Sequence, residues 1–370
     1  MMPIATESVK RELCALADRI GSSHDYRSAM LEKLRLAVPF DAACCTTVDP
    51  QTHLSTGAVT DESVEAIHHL LFENEYRQDD VNAFESLAAS ASPAATLSGA
   101  TGGEPAGSAR YRDILRPAGF TDELRAVFVH EGTCWGHLSL YRRSGSPLFR
   151  EEEVAAIVSL LPCLTDGVRH TNGLQPPAGR PKPAAVREPG IALLSERLEL
   201  LSANAEADYW LAMLRSRERI GPDTLPRPVR AVCMRAMDGG HTAQLQPPKP
   251  QVCLSAPDGQ YLTLRASKLF GAAGTGTCQL AVTIEASRPS DILPYMTDAY
   301  RLSAREKQVL EGVLRGLSTK ELAGSLHISG YTVQDHLKAI FAKTGVTSRR
   351  DLIWRLHGRY SLPADGDTAK

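Results

Sequence analysis

Four segments in the C-terminal fifth of the chain decide how it is read: Leu302-Ser303-Ala304-Arg305-Glu306, Gly316-Leu317-Ser318-Thr319-Lys320-Glu321-Leu322-Ala323, Thr332-Val333-Gln334-Asp335-His336-Leu337-Lys338 and Lys343-Thr344-Gly345-Val346. Ser303-x-x-Glu306 is a capping box. The serine accepts from the N3 amide, and the glutamate reaches back to the cap's own N–H. It opens a helix carrying Val309, Leu310, Val313, Leu314 and Leu317, which Gly316 is placed to end in the left-handed conformation. Ser318-x-x-Glu321 is a second box, opening a short helix with Leu322, Ala323 and Leu326. His327-Ile328-Ser329 reads as a turn, with Ser329 capping a third helix whose Val333, Leu337, Ile340 and Phe341 share one face. Gly345 stops that helix, and Ser348-x-x-Asp351 opens a last one with Leu352, Ile353 and Leu356.

The second and third helices, joined by a tight turn, have helix-turn-helix spacing. With the apolar face of the third helix turned inward, its opposite face presents Tyr331, Gln334, Asp335 and Lys338. Such groups suit base edges: Lys for guanine, Gln for adenine, Asp for the cytosine amine. Ser329, Thr332, Thr319 and Lys320 stand at helix N-termini, where free backbone N–H groups and the helix dipole favour a phosphate. Charge points the same way. Between Leu302 and Tyr360 there are ten basic and five acidic residues, a balance of +5 in a chain of net charge −2, which leaves −7 elsewhere. A basic module on an acidic body implies a polyanion partner at that end.

The four segments, in this order, strongly resemble the LuxR-type DNA-binding domain. The resemblance implies an all-α four-helix domain over 300–360, a third helix that enters the major groove, a fourth that helps form a dimer, and a flexible tail at 361–370. Trp354, beside the stripe of the last helix, is a candidate subunit contact or ordinary packing. Many members have Lys after the Thr-Val pair where this chain has Gln334, which puts the operator preference in doubt.

Upstream, three compositional breaks divide the chain. Asn172–Gly190 is proline-rich and without periodicity, and reads as a linker over 172–189 that lets the front move. Ser287–Pro294 reads as a second linker, over 288–299. Ala88–Gly107, rich in Ala, Ser, Gly and Pro, reads as a long loop inside the first domain.

The block 1–171 alternates helical stripes (Leu13, Leu16, Ala17, Ile20; Met30, Leu31, Leu34, Val38; Val64, Ile67, Leu70, Leu71; Val154, Ile157, Val158, Leu161) with strands over Ala42–Val48 and Leu54–Val59. A late hairpin runs Leu124–Val129, Glu131-Gly132, Cys134–Arg142. This α+β order, with Pro39-Phe40-Asp41 before a strand and Trp135-Gly136 in the hairpin, resembles a GAF-like domain that serves sensing or dimerisation. The Asn-Lys-x-x-Asp signature of cyclic-nucleotide-binding members is absent from the sequence.

The block 190–287 reads as a hairpin (Ile191–Leu194, Leu198–Leu201), a helix entered at Asn204 with Ala207, Trp210, Leu211 and Leu214, then strands over Val252–Ser255, Tyr261–Ala266 and Leu280–Glu285. It is similar to a smaller α+β PAS-like domain. The whole resembles actinobacterial regulators that pair a GAF-like front with this C-terminus.

Near-misses for chemistry fail on context. Gly132-Thr133-Cys134-Trp135-Gly136 spells a nucleophile elbow, but strand-forming residues flank it on both sides, where an elbow needs strand then helix. Gly271–Gly276 has phosphate-loop glycines followed by Thr277-Cys278 where Lys and Ser/Thr are required. His68-His69 face opposite ways on a helix, and Asp79-Asp80 lacks the strand context of a receiver domain. Eight cysteines without a Cys-x-x-Cys pair suggest neither zinc nor a disulfide scaffold, so all are expected reduced. The first twenty residues carry six charges and no secretory core, and no apolar run approaches a span, so a cytoplasmic chain without membrane contact is expected.

These observations point away from an enzyme and from a metal or cofactor. The expected function is a sequence-specific regulator binding double-stranded DNA as a homodimer on two-fold sites. Its front would be controlled by an unknown small-molecule effector or by contact with RNA polymerase. The other reading is an interaction protein whose front recruits RNA polymerase or another regulator without sensing a ligand.

Overall fold

The computed structural model describes residues 2–77, 80–172, 187–238, 249–256, 261–270, 278–288, 291–293, 295, 300 and 302–357. Several expectations lie outside these residues or concern side chains not described: most of the proline-rich linker, Asp79, the Gly271–Gly276 loop, Pro294, the side chains of Trp354 and Leu356, and the tail. The described residues form two compact units, one built from both α+β regions and one around the C-terminal helices.

The front opens with α1 (Met2–Arg19) and α2 (Ser23–Ala37), followed by β1 (Ala42–Val48) and β2 (Ser55–Thr60). Short helices α3 (Glu62–Glu65), α4 (His68–Arg77), α5 (Phe84–Ala89) and α6 (Leu97–Ala100) surround β3 (Ala94–Thr96). The long hairpin β4 (Phe120–His130) and β5 (Thr133–Arg143) leads into α7 (Glu151–Thr171), which continues through Pro162. The strands form one antiparallel sheet in the order β2-β1-β5-β4-β3. Glu131 and Gly132 turn the hairpin with positive φ of 50° and 77°. Strand alternation assigns the two faces. Leu124, Ala126, Phe128, Leu138 and Leu140 are buried on the face toward α2 and α7, while Val127 and Tyr141 pack on the other with Leu87 and Leu71. The expected α+β architecture is thus present.

The stretch Ala88–Gly107, expected as a loop, holds the end of α5, edge strand β3 and α6. Ala94 and Thr96 pair with Ala126 and Leu124, and Thr96 Oγ1 caps α6 by accepting from the Gly99 amide at 3.0 Å. A three-residue strand of small side chains shows no period, so its composition reads as loop.

The second α+β region contains β6 (Gly190–Ser195), β7 (Leu200–Ala203), α8 (Ala205–Glu218), α9 (Arg227–Asp238), β8 (Gln251–Ser255), β9 (Tyr261–Leu269) and β10 (Gln279–Ala286). Its sheet has the order β7-β6-β10-β9-β8, the first sheet's order repeated. Asn204 caps α8, with Oδ1 accepting from Ala207 N at 2.9 Å. Helix α9 was not foreseen.

Its first residue, Arg227, is buried and joins the two regions. Its guanidinium pairs with Glu65, donates to Glu218 at 3.0 Å, Thr60 Oγ1 at 3.1 Å and His68 Nε2 at 3.3 Å. Asp49 of the front also accepts from Cys253 N at 2.7 Å. These contacts hold the two α+β regions in one compact unit.

The cysteine expectation is corrected for two of eight. Cys14 of α1 and Cys163 of α7 are joined as a disulfide, with Cα atoms 5.6 Å apart across 149 residues of sequence. Helix packing, which sequence spacing does not reveal, brings them together. Six others are free thiols. Among the described residues, no helix is long and apolar enough to cross a membrane, and no group of three or more metal-ligating side chains occurs.

Candidate nucleic-acid interface

The C-terminal domain consists of α10 (Ala304–Leu314), α11 (Thr319–Leu326), α12 (Gly330–Thr344) and α13 (Arg349–His357). Each start is chemically marked. Ser303 and Glu306 form the first reciprocal capping box, with Ser303 N donating to Glu306 Oε2 at 2.6 Å. Ser318 and Glu321 form the second, at 2.7 Å. Ser329 Oγ accepts from Thr332 N at 3.1 Å, and Ser348 Oγ from Asp351 N at 3.0 Å.

The ends are equally local. Gly316, His327 and Gly345 adopt φ of 83°, 53° and 66°, the left-handed caps that stop α10, α11 and α12. Val309, Leu310, Val313, Leu322, Val333, Leu337, Ile340 and Leu352 are buried between the helices, while Phe341 is half-buried. Gly312 allows α10 to approach α11: an added Cβ would stand 2.3 Å from Leu322 Cδ2.

The predicted contact residues separate into two groups. Tyr331, Thr332, Gln334, Asp335 and Lys338 are all exposed on α12, opposite its buried stripe, and Tyr331 is 87% exposed. Lys338 lies 3.5 Å from Asp335, an exposed pair one turn apart that leaves both groups available. Ser329 and Thr332 share a 2.9 Å hydroxyl hydrogen bond at the start of α12. Their hydroxyls thus organise the first turn. Thr319, half-buried, and Lys320, exposed, occupy the first turn of α11.

Sequence reasoning missed how some cations are used. Arg305 donates to the Leu326 carbonyl at 2.5 Å and to Gln308, and Arg349 donates to the Leu317 carbonyl. Lys343 pairs with buried Glu306 at 2.7 Å, tying the far end of α12 to the start of α10. Burial pushes the Glu306 carboxyl up, but hydrogen bonds from Lys343 and Ser303 outweigh it and hold the carboxyl below its ordinary range. Apart from the Arg305–Gln308 bond, these contacts join residues 21 to 37 apart, so no local motif signals them.

In the front, part of the layer between the sheet and α4–α5 is filled by the chain's own charges. Arg110 grips both Glu123 oxygens at 2.9 Å and donates to Asn74 at 3.2 Å. Arg125 pairs with Glu75 and lies 4.1 Å over the Phe84 ring, which stacks on His137 at 4.0 Å. Burial raises the Glu123 carboxyl, yet Arg110 and Arg125 bring it down to about 2. Burial drives His137 down to about 3. The Gly132–Gly136 near-miss lies at the β4–β5 turn and the start of β5, with strand on both sides. That geometry excludes a strand-to-helix elbow.

Four helices with a capped helix-turn-helix and an outward polar face on α12 define a DNA-binding helix-turn-helix domain. Residues 300–356 match the family described as bacterial regulatory proteins, luxR family, and this C-terminal domain is a LuxR-type helix-turn-helix domain. The monoamine regulon transcriptional regulator of Klebsiella aerogenes is 44% identical over 54 residues, 15% of this chain and 24% of that protein. The chain spans about a quarter of the length of the curated relatives it matches. Among solved structures, the phycoerythrobilin-bound GAF domain of a cyanobacterial phytochrome is similar over 45% of this chain and 95% of that one, at 15% identity and a TM-score of 0.31. Escherichia coli SdiA is similar over 95% and 96%, at 11% identity and a TM-score of 0.34.

Proposed function

We propose that this chain is a LuxR-type transcription regulator that binds double-stranded DNA as a homodimer on two-fold sites. In this reading α12 lies in the major groove and the front unit controls its use. The carrying observation is the division of α12 into a buried apolar stripe and an exposed face of Tyr331, Gln334, Asp335 and Lys338. That face reads base edges. Thr319, Lys320, Ser329 and Thr332 place helix N-termini against phosphates, fixing register without reading sequence. Two-fold operators follow because one such module covers a single half-site. A protein of this kind acts in the cytoplasm, with RNA polymerase or an effector as the further partner of its front.

The test is a salt titration. Full-length chain is titrated onto a fragment recovered by genome-wide mapping of its bound sites, and onto random DNA. Log affinity must fall linearly with log salt, with a slope of about 0.9 per phosphate contacted. A fragment starting near Pro294 should bind the same sequence more weakly. A salt-independent association, or a fragment that selects a different sequence, overturns the proposal.

A further inference from the structure

We propose that Cys14 and Cys163 form a reversible thiol–disulfide site, through which low-molecular-weight disulfides set how firmly α1 is held to the front unit. The inference rests on reading the chain as a cytoplasmic regulator, because disulfides in that compartment are transient, catalytic or sensing rather than structural.

Cys14 is exposed on α1, whereas Cys163 is buried in α7. Their Cα separation of 5.6 Å lies within the range a disulfide spans without backbone movement. This is the arrangement of an attacked and a resolving cysteine: one sulfur open to a solute, the other sheltered behind it. The remaining cysteines are poorer entry points. Cys45, Cys134, Cys233 and Cys253 are buried, and burial pushes the thiols of Cys45 and Cys233 up to about 12 and that of Cys134 to about 11. Such thiols stay protonated and unreactive at neutral pH. Cys44 and Cys278 are half-buried.

The step is ordinary exchange. The Cys14 thiolate attacks one sulfur of an external disulfide such as glutathione disulfide, forming a mixed disulfide and expelling one thiolate, which takes up a proton. The Cys163 thiolate then attacks Cys14 Sγ and expels the second external thiolate. Two protein thiols are oxidised, one external disulfide is reduced to two thiols, and reduction runs the same steps backward.

The consequence falls on α1. Val9 and Leu13 are the buried side chains it supplies among the described residues, and Glu12 pairs with Lys33 of α2 at 2.6 Å; the covalent tie to α7 adds to these contacts. Helix α7 ends at Thr171, where the chain leaves the front sheet's helices.

The test equilibrates full-length chain in glutathione buffers of increasing disulfide content, then applies maleimide labelling, peptide mapping and hydrogen exchange. Labelled thiols should fall from eight to six, the missing two appearing as one Cys14–Cys163 peptide. Amides of α1 should exchange faster in the reduced chain, and those of α12 at the same rate. Cys163→Ser should stop at a glutathione adduct on Cys14. The double variant C14S/C163S should show the reduced-state exchange of α1 in every buffer, which separates loss of the bond from misfolding. A link persisting in all buffers, a different cysteine pair forming first, or identical α1 exchange in both states overturns the proposal. Loss of DNA binding in both redox states would instead overturn the regulator reading and leave the exchange chemistry standing.

Discussion

Replacing Glu306 by alanine should loosen the C-terminal domain at a contact that lies away from the exposed face of α12. The Glu306 carboxylate accepts from Ser303 N at 2.6 Å and from Lys343 Nζ at 2.7 Å, and Glu306 is 5% exposed. Loss of the reciprocal cap removes about 0.5–1 kcal/mol. Because the Lys343 side chain is 38% exposed, its pair is discounted for solvent screening to about 0.5–1 kcal/mol. The total of about 1–2 kcal/mol corresponds to amide exchange in α10 and α12 faster by about 5- to 30-fold.

The assay is native-state hydrogen exchange on the full chain for E306A, K343M and the double variant. The cycle should return a coupling of about 0.5–1 kcal/mol between the two residues. Sign follows from the lowered carboxyl: the contribution is present above the ordinary glutamate range and lost as pH falls through the lower folded value. Strict additivity, with coupling under about 0.3 kcal/mol, would refute the reasoning.

At the DNA face, Gln334→Ala should cost about 1–3 kcal/mol on the mapped operator and little on random DNA, whereas Lys320→Ala should weaken both alike and lower the salt slope by roughly one; equal losses for Gln334→Ala on both DNAs remove its base-reading role. Gly136→Ala sets a Cβ 2.5 Å from the Thr46 carbonyl oxygen, inside the β1–β5 ladder where backbone cannot yield. The front unit should lose about 1–3 kcal/mol in denaturant melts, and an unchanged midpoint contradicts the packing. Buried His137 titrates at about 3 when folded and near its ordinary value when unfolded, so the unfolded chain binds the extra proton first. Stability should therefore fall as pH drops below about 6.5, and His137→Gln should flatten that slope; parallel wild-type and variant slopes would show that His137 is not the source.

The C-terminal domain was legible because its signals are short-range. Ser303, Ser318, Ser329 and Ser348 act on amides three residues away, and Gly316 and Gly345 act on their own φ. Chain topology does not enter, so the capping boxes, the stops and the outward face of α12 could all be placed from residue order. The strands of the front sheet were similarly visible where they run for six residues or more. β3, three residues long, was not.

What only the tertiary structure decided is where charge and sulfur go. Glu123 and Arg125 lie in the middle of a strand that composition marks as apolar, and they are buried there because Arg110 and Glu75 arrive from other elements to pair with them. Arg227 closes on Glu65 and His68 across about 160 residues, and Cys14 finds Cys163 across 149. A buried charge or a reactive sulfur is tolerable or costly according to its neighbours. Those neighbours are supplied by which surfaces fold against one another. Residue order alone therefore specified the helices and their faces, and packing specified which ions and thiols those faces bring together.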